Sequence, residues 1–298
     1  MSSLFQTPST LLRNMLVSRI QDVFNDGDRG ETPVMRSDNA LFERGSVIWR
    51  VHGDVTTMMI GGVSALLLQM LHPAALAGVW DHSSFRGDML GRLRRTARFV
   101  AVTTFGERSQ AEAAIVRVQE VHERVRGTLA DGTPYSASDP HLLAWVHVCE
   151  AVSFLDAWIA FGEPGMSKAD QDEYFAQHAV VARALGADPV PDTRARAEAL
   201  VRDFRPALDA SPRTREVANL VLSQPAPAPA LAPVQALLMQ ASVGILPRWA
   251  KQMHGLSTLP LSGPIVRTGA LTLAHTLRWA FRQKHRFPGV ALRRPSIR

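Results

Sequence analysis

The longest apolar stretch of the chain covers residues 54–71 and runs through Met58-Met59-Ile60 and Ala65-Leu66-Leu67-Leu68 to Gln69-Met70-Leu71-His72-Pro73. Extended to Trp80 it approaches membrane-spanning length, but Gly61-Gly62, Gln69, His72 and Pro73 interrupt it and no basic anchor follows closely. A helix buried in the protein's own core accounts better for that pattern. Two further helices are predicted over 88–104 and 110–126, with Glu107-Arg108-Ser109 as the corner between them. Gly127 falls where a C-terminal glycine cap belongs.

Start signals place the other helices. Ser37 reads as an N-cap ahead of Asp38 and Leu41-Phe42. Asp139-Pro140 opens a helix through Trp145 and Trp158 to about Phe161, with proline at the first helical position. Ser167 with Asp170 forms a partial capping box, and more helix is expected near 193–204 and, opened by Ser211-Pro212, near 213–222. The proline-rich spacer 224–230 connects two helical parts, and 231–244 and 264–284 are again helical in pattern. No alternating apolar and polar runs bounded by turns stand out, and no repeat at a fixed period is visible. The prediction is an all-α, multi-helix domain over 37–256, preceded by an ill-ordered lead-in, 1–36, and followed by a basic helical extension, 257–298.

Composition narrows the function classes. With 298 residues, 46% of them hydrophobic, the chain can bury a real core and is no disordered polymer. Its single cysteine, Cys149, excludes a disulfide framework, a cysteine metal knuckle, an iron–sulfur cluster and covalently attached c-type haem. The opening residues lack a secretion signal pattern, so a cytoplasmic protein is expected. Charge is unevenly spread: from Val217 onward there are ten Lys or Arg and no acid, whereas the first 216 residues hold 23 cations against 27 acids. Such asymmetry suits an anionic partner, or is merely a solvated basic face. In the tail, Leu273, Leu277, Ala280 and Phe281 fall at helical offsets flanked by Arg278, Arg282, Lys284 and Arg286. That stripe either docks on an anionic membrane surface or packs on the protein's own core. Nucleic acid is not the expected partner, and the oligomeric state is not readable.

Signatures for serine hydrolysis, phosphoryl transfer, nicotinamide binding and zinc proteolysis are absent from the sequence. Histidines and one arginine remain. His122 shares a helical stripe with Ile115, Val118 and Val125, so it either hydrogen-bonds quietly against the core or ligates something. His72 precedes Pro73, where a helix must end or kink, and so caps a helix or lines a pocket. His147 and Glu150 resemble half of a diiron carboxylate set, but the second E-x-x-H motif and the two further glutamates are not found. Arg92 and Thr96 share a face with Phe99 and Thr103, with Arg94, Arg95 and Arg98 close by. An arginine beside a hydroxyl on a half-apolar face suits a carboxylate, which a guanidinium grips with two parallel hydrogen bonds.

The order of these motifs carries a resemblance. Leu68-Gln69-Met70-Leu71-His72-Pro73, Arg92-x-x-x-Thr96, Val121-His122-Glu123-Arg124-Val125-Arg126-Gly127, Tyr135-Ser136-Ala137-Ser138-Asp139-Pro140 and Trp145-Val146-His147 follow one another, and Leu246-Pro247-Arg248-Trp249 comes later. Together, over about residues 37–256, they resemble the MpaB/rubber-oxygenase (latex-clearing protein) catalytic domain. The resemblance implies an all-helical fold around one non-covalent haem b. Position by position it makes His122 the proximal iron ligand and Arg92 and Thr96 the arginine–threonine pair beside the haem, with Arg95 and His72 as further pocket residues. In the rubber-cleaving branch a lysine precedes the threonine and a glutamate lies upstream. Here that lysine position holds Arg95 and the stretch Leu71–Val79 holds no acid, which argues against polyisoprene as substrate. The expected function is a haem-dependent oxygenase that uses dioxygen on a small apolar substrate. The alternative is a non-enzymatic haem-binding protein without a competent distal side.

Overall fold

The computed structural model describes residues 32–226, 228–256 and 262–282, with side chains in the last segment from Val266 to Trp279. Twelve α-helices and one two-stranded hairpin make up the described residues: α1 Val47–His52, α2 Val55–Gln69, α3 Pro73–His82, α4 Met89–Phe105, α5 Arg108–His122, β1 Arg126–Thr128, β2 Pro134–Ser136, α6 Pro140–Phe161, α7 Lys168–Ala184, α8 Arg194–Phe204, α9 Pro212–Leu222, α10 Ala232–Ile245, α11 Arg248–His254 and α12 Ser262–Arg282. The expected all-α class holds, with a single domain built around one main core cluster.

Local chemistry sets the helix starts. Asp54 Oδ1 accepts from the Thr57 amide at 2.9 Å and caps α2, and Asp139 Oδ1 accepts from the Leu142 amide at 2.8 Å ahead of Pro140 on α6. Ser167, Thr193 and Ser211 cap α7, α8 and α9 in the same way. His72 is itself the cap of α3, its Nδ1 accepting from the Ala74 amide at 3.3 Å. Because Pro73 cannot continue α2, the chain bends by 104° there, and the apolar run becomes two helices.

α2 and α6 form the central pair and pack together more extensively than any other two elements. Both are apolar on nearly every side, which is the pattern of a helix buried all round. α6 is long and apolar enough to cross a membrane by composition, yet 72% of that stretch is buried inside the protein. Gly61 of α2 lets the two backbones meet: a Cβ there would sit 2.9 Å from both the Phe154 Cα and the Ser153 carbonyl oxygen. α12 lies against α10, α2 and α6. Its Ala270, Ala274 and Leu277 are buried and Leu273 packs partly against the core. Arg278 clamps the contact by pairing with Asp54 at 2.6 Å and donating to the Phe161 carbonyl at 2.9 Å. The side chains of Ala280, Phe281, Arg282, Lys284 and Arg286 lie outside the described residues.

Three expectations are corrected. Ser37 opens no helix; its hydroxyl donates to the Glu107 carboxylate, which also takes the Asn39 amide, tying the entry segment to the α4–α5 corner. α5 ends at His122, and Gly127 is not its cap. Gly127 instead lies in β1 opposite Tyr135, where a Cβ would meet the phenol oxygen at 2.7 Å, so glycine serves close approach in a hairpin that too short an alternation concealed. Of the lead-in, residues 1–31 lie outside the described residues and 32–36 form no helix.

Gly61→Ala should therefore cost about 1–3 kcal/mol, because the methyl meets backbone that cannot yield. Gly62→Ala, whose Cβ would meet only the Phe154 ring edge at 3.7 Å, should be neutral or stabilising by up to about 1 kcal/mol. Urea denaturation of the two variants measures the contrast, and equal stabilities would remove the close contact as a constraint.

Candidate functional site

α4 and α5 form an antiparallel pair joined at the Gly106-Glu107 corner. Arg92 lies 13 residues before the end of α4 and His122 lies 14 residues after the start of α5. Equal distances from the corner bring both to the open end of the hairpin, though thirty positions separate them in sequence. Arg92 is half-buried, and desolvation followed by the neighbouring Arg95 charge lowers its pKa. The His122 ring is half-buried on the α5 terminus, and burial lowers its pKa below the ordinary imidazole value. Among the described residues no hydrogen bond or ion pair reaches the Arg92 guanidinium or the His122 ring.

The other expected site residues are placed differently. Thr96 is exposed, and its hydroxyl donates back to the Arg92 carbonyl at 3.2 Å. Arg95 pairs with Asp88, the cap of α4, at 3.2 Å. His72 stands at the α2–α3 bend with its ring near Trp145 and Phe204, and burial, then the His141 charge, lower its pKa to about 4. Its capping bond accounts for its position.

Behind the hairpin lies a buried polar file that crosses five helices. His52 of α1 contacts Thr104 Oγ1 of α4 through Nδ1 at 2.8 Å and Tyr174 Oη of α7 through Nε2 at 3.1 Å. The His178 ring, one turn along from Tyr174, lies 6.1 Å from His52 and 6.0 Å from His147 of α6. Nδ1 of His147 has no hydrogen-bond partner and stands 3.9 Å from Glu150 Oε2. Glu150 takes a hydrogen bond from Gln69 of α2, which also donates to the Val146 carbonyl at 3.1 Å. A cavity of about 10 Å³ beside His147 and His178, otherwise lined by apolar groups, has room for one water.

Burial drives the pKa values of this file. It holds His52, His147 and His178 neutral down to about pH 3, with His178 and then His122 adding to the effect on His147, and His52 to that on His178. It pushes Glu150 up to about 7 against the opposing hydrogen bond from Gln69. His147 and Glu150 are therefore not an ion pair at neutral pH. Among the described residues no group of three or more His, Cys, Asp or Glu is placed to hold a metal ion. The sequence reading passed over His52, Tyr174 and His178. A signal was there, since Tyr174, Phe175, His178, Ala179 and Ala182 form one buried stripe on α7.

An all-helical domain with an arginine near the start of one helix and a histidine at the end of the next is the class that fold and site define. The chain matches the family model described as ER-bound oxygenase mpaB/B'/rubber oxygenase, catalytic domain, over residues 49–280, and it belongs to that family. No curated protein and no solved structure gives a match.

The file predicts how stability varies with pH. Each of the three imidazoles is neutral in the fold down to about pH 3 but takes a proton near 6.5 when unfolded, so the stability it contributes is lost as pH falls below 6.5. Glu150 acts in the opposite sense, holding a proton in the fold up to about 7 against 4.5 unfolded, so its contribution is lost as pH rises through that window. Three groups outweigh one, and stability should fall by on the order of 3 kcal/mol between pH 6.5 and 5. Urea midpoints at the two pH values measure it; a flat profile would mean that the imidazoles charge within the fold.

Proposed function

We propose that this protein is a haem b-dependent oxidoreductase of oxygenase type, acting on a small apolar substrate, with His122 as the proximal iron ligand. The observation that carries this reading is the pair of unsatisfied groups at the open end of the α4–α5 hairpin. A half-buried guanidinium usually has a counter-charge close by, and among the described residues none is paired with Arg92. The same end presents an imidazole that burial keeps neutral and that has no hydrogen-bond partner among the described residues. These two residues match the positions that the family resemblance gives to the propionate-side arginine and the iron ligand. The donor set fits the group: a nitrogen lone pair for iron and a planar cation for a carboxylate.

A haem held there would supply the binding and activation of dioxygen. The protein's own residues do the rest. Desolvation keeps His122 neutral, so its lone pair is available rather than blocked by a proton. Arg92 would grip a propionate and offset the cost of taking that carboxylate out of water. Thr96 holds the Arg92 turn through its bond to the carbonyl. Arg95, tied to Asp88 and permanently charged, adds positive potential without offering a lone pair. Leu93, Phe99 and Val118, partly buried against the core, give the same hairpin an apolar flank suited to an apolar substrate.

One observation favours the second reading, a haem-binding protein without turnover: the position next to Thr96 is occupied by an arginine already paired with Asp88. Oxygen uptake by the haem-loaded protein with candidate apolar substrates decides between the two.

His122→Ala should abolish stoichiometric haem binding, read as loss of the Soret band. A full band in that variant, with loss in His72→Ala or His147→Ala, would move the ligand elsewhere. Arg92→Leu removes a charge partner, an effect on the order of 2–4 kcal/mol, so haem affinity should fall at least about tenfold. An unchanged haem dissociation rate would return Arg92 to a purely structural place.

A further inference from the structure

Tyr174 is one of only two tyrosines in the chain, and it is fully buried in the main core. A phenol in such a place usually donates to a carbonyl or to water. Tyr174 instead meets an imidazole nitrogen, His52 Nε2, at 3.1 Å. The His52 ring is held from its other side by Thr104 at 2.8 Å, and it packs edge-on against Phe154 and Tyr174 with centroids 5.5 and 5.7 Å away. The phenol is the more acidic of the two hydroxyls on this ring. The tautomer that lets it donate to Nε2 places the ring proton on Nδ1, facing Thr104 Oγ1.

From the phenol a line of rings leads toward the hairpin. Tyr174 lies 5.8 Å from His178, and His178 lies 6.0 Å from His147, centroid to centroid. Nothing in the packing of α1 against α7 requires this polar line, because an apolar core of the same volume would cost less than four buried heteroatom-bearing rings. The other tyrosine, Tyr135, donates to Asp81 at 2.9 Å, on the far side of the β-hairpin contact with α3.

We propose that Tyr174 and His52 form a proton-coupled redox pair, in which the phenol gives up one electron while its proton crosses to His52 Nε2. The step balances as loss of one electron from Tyr174 to a one-electron oxidant and movement of one proton from Oη to Nε2, leaving a neutral phenoxyl radical beside an imidazolium. A one-electron reductant such as ascorbate restores the phenol, and the proton returns along the same hydrogen bond. Buried phenols resist oxidation when the proton has nowhere to go, because a cationic radical in a dry core carries the full cost of an unpaired charge. His52 lowers that cost by offering the proton a free Nε2 at 3.1 Å: the positive charge ends on an imidazole, a far stronger base than a phenol radical cation even with its basicity reduced by burial. The identity of the physiological oxidant, an oxidised haem lacking substrate, rests on the functional reading above; the pair itself does not.

Full-length protein, as purified and after haem loading, is oxidised with a flash-generated ruthenium(III) polypyridyl complex and trapped for paramagnetic resonance. In Tyr135→Phe, which leaves Tyr174 as the single tyrosine, a neutral phenoxyl signal should persist, and adding Tyr174→Phe should abolish it. In the otherwise unaltered core, isotopically nitrogen-labelled histidine should change the couplings of the hydrogen bond the radical accepts. His52→Leu should slow radical formation by about tenfold or more, as a loss of over about 1.4 kcal/mol of barrier lowering requires. Indole radicals alone in Tyr135→Phe, a phenoxyl without nitrogen coupling, or an unchanged rate in folded His52→Leu would overturn the proposal. The nitrogen-coupling readout leaves His52 in place, so it stands even where His52→Leu fails to fold. Peroxide added to the haem-loaded Tyr135→Phe protein tests the haem as oxidant: failure of that arm, with the photochemical signal intact, counts against the haem reading and not against the pair.

Discussion

The contact between α2 and α6 at Gly61 organises this molecule. Two helices apolar on nearly every side cannot each find a solvent face, so both must be sheathed by others. The absence of a side chain at Gly61 lets their backbones meet at Phe154 and Ser153, and the remaining helices wrap that axis. The ends of the pair are fixed by polar groups. Asp54 caps α2 and is held by Arg278, which also satisfies the last carbonyl of α6 at Phe161. One ion pair thus ties the C-terminal helix to the start of one central helix and the end of the other. Since Asp54 is nearly inaccessible to water, that pairing matters more than an exposed one would.

The candidate site lies on the α4–α5 hairpin, outside this axis, and the division of labour follows from the chemistry. The central pair is apolar; the hairpin carries Arg92 and His122, to which no hydrogen bond or ion pair is made among the described residues. Membership of the mpaB/rubber oxygenase family gives these loose ends a chemical context. Between axis and hairpin runs the file of His52, Tyr174, His178, His147 and Glu150, which burial holds in their uncharged forms at or near neutrality. A core that accepts so many polar rings has given up stability there for something other than packing.

Much of the architecture was legible in the residues themselves. Asp139-Pro140, Ser167 and Ser211-Pro212 announce their helices because capping is a local event, decided within four residues. Pro73 splits the apolar run for the equally local reason that it has no amide to donate. The identity of His122 and Arg92 as candidates came from helical periodicity and motif order. Ser37 and Gly127 misled for a single reason: each serves a partner far along the chain, Glu107 in one case and Tyr135 in the other, and local pattern cannot name such a partner.

The sequence by itself determined the helical class, most helix starts and the acid-free C-terminal segment, and it singled out His122 and Arg92 as candidates. Only the tertiary structure decided that among the described residues Arg95 has a counter-charge and Arg92 has none, that Ala270, Ala274 and Leu277 of α12 are buried, and that histidines from α1, α6 and α7 share one buried file. The physical reason is that desolvation and pairing are properties of the assembled environment. A side chain's own helix sets the direction in which it points, but the helices that close over it set its charge state, its partners and whether its hydrogen bonds are met.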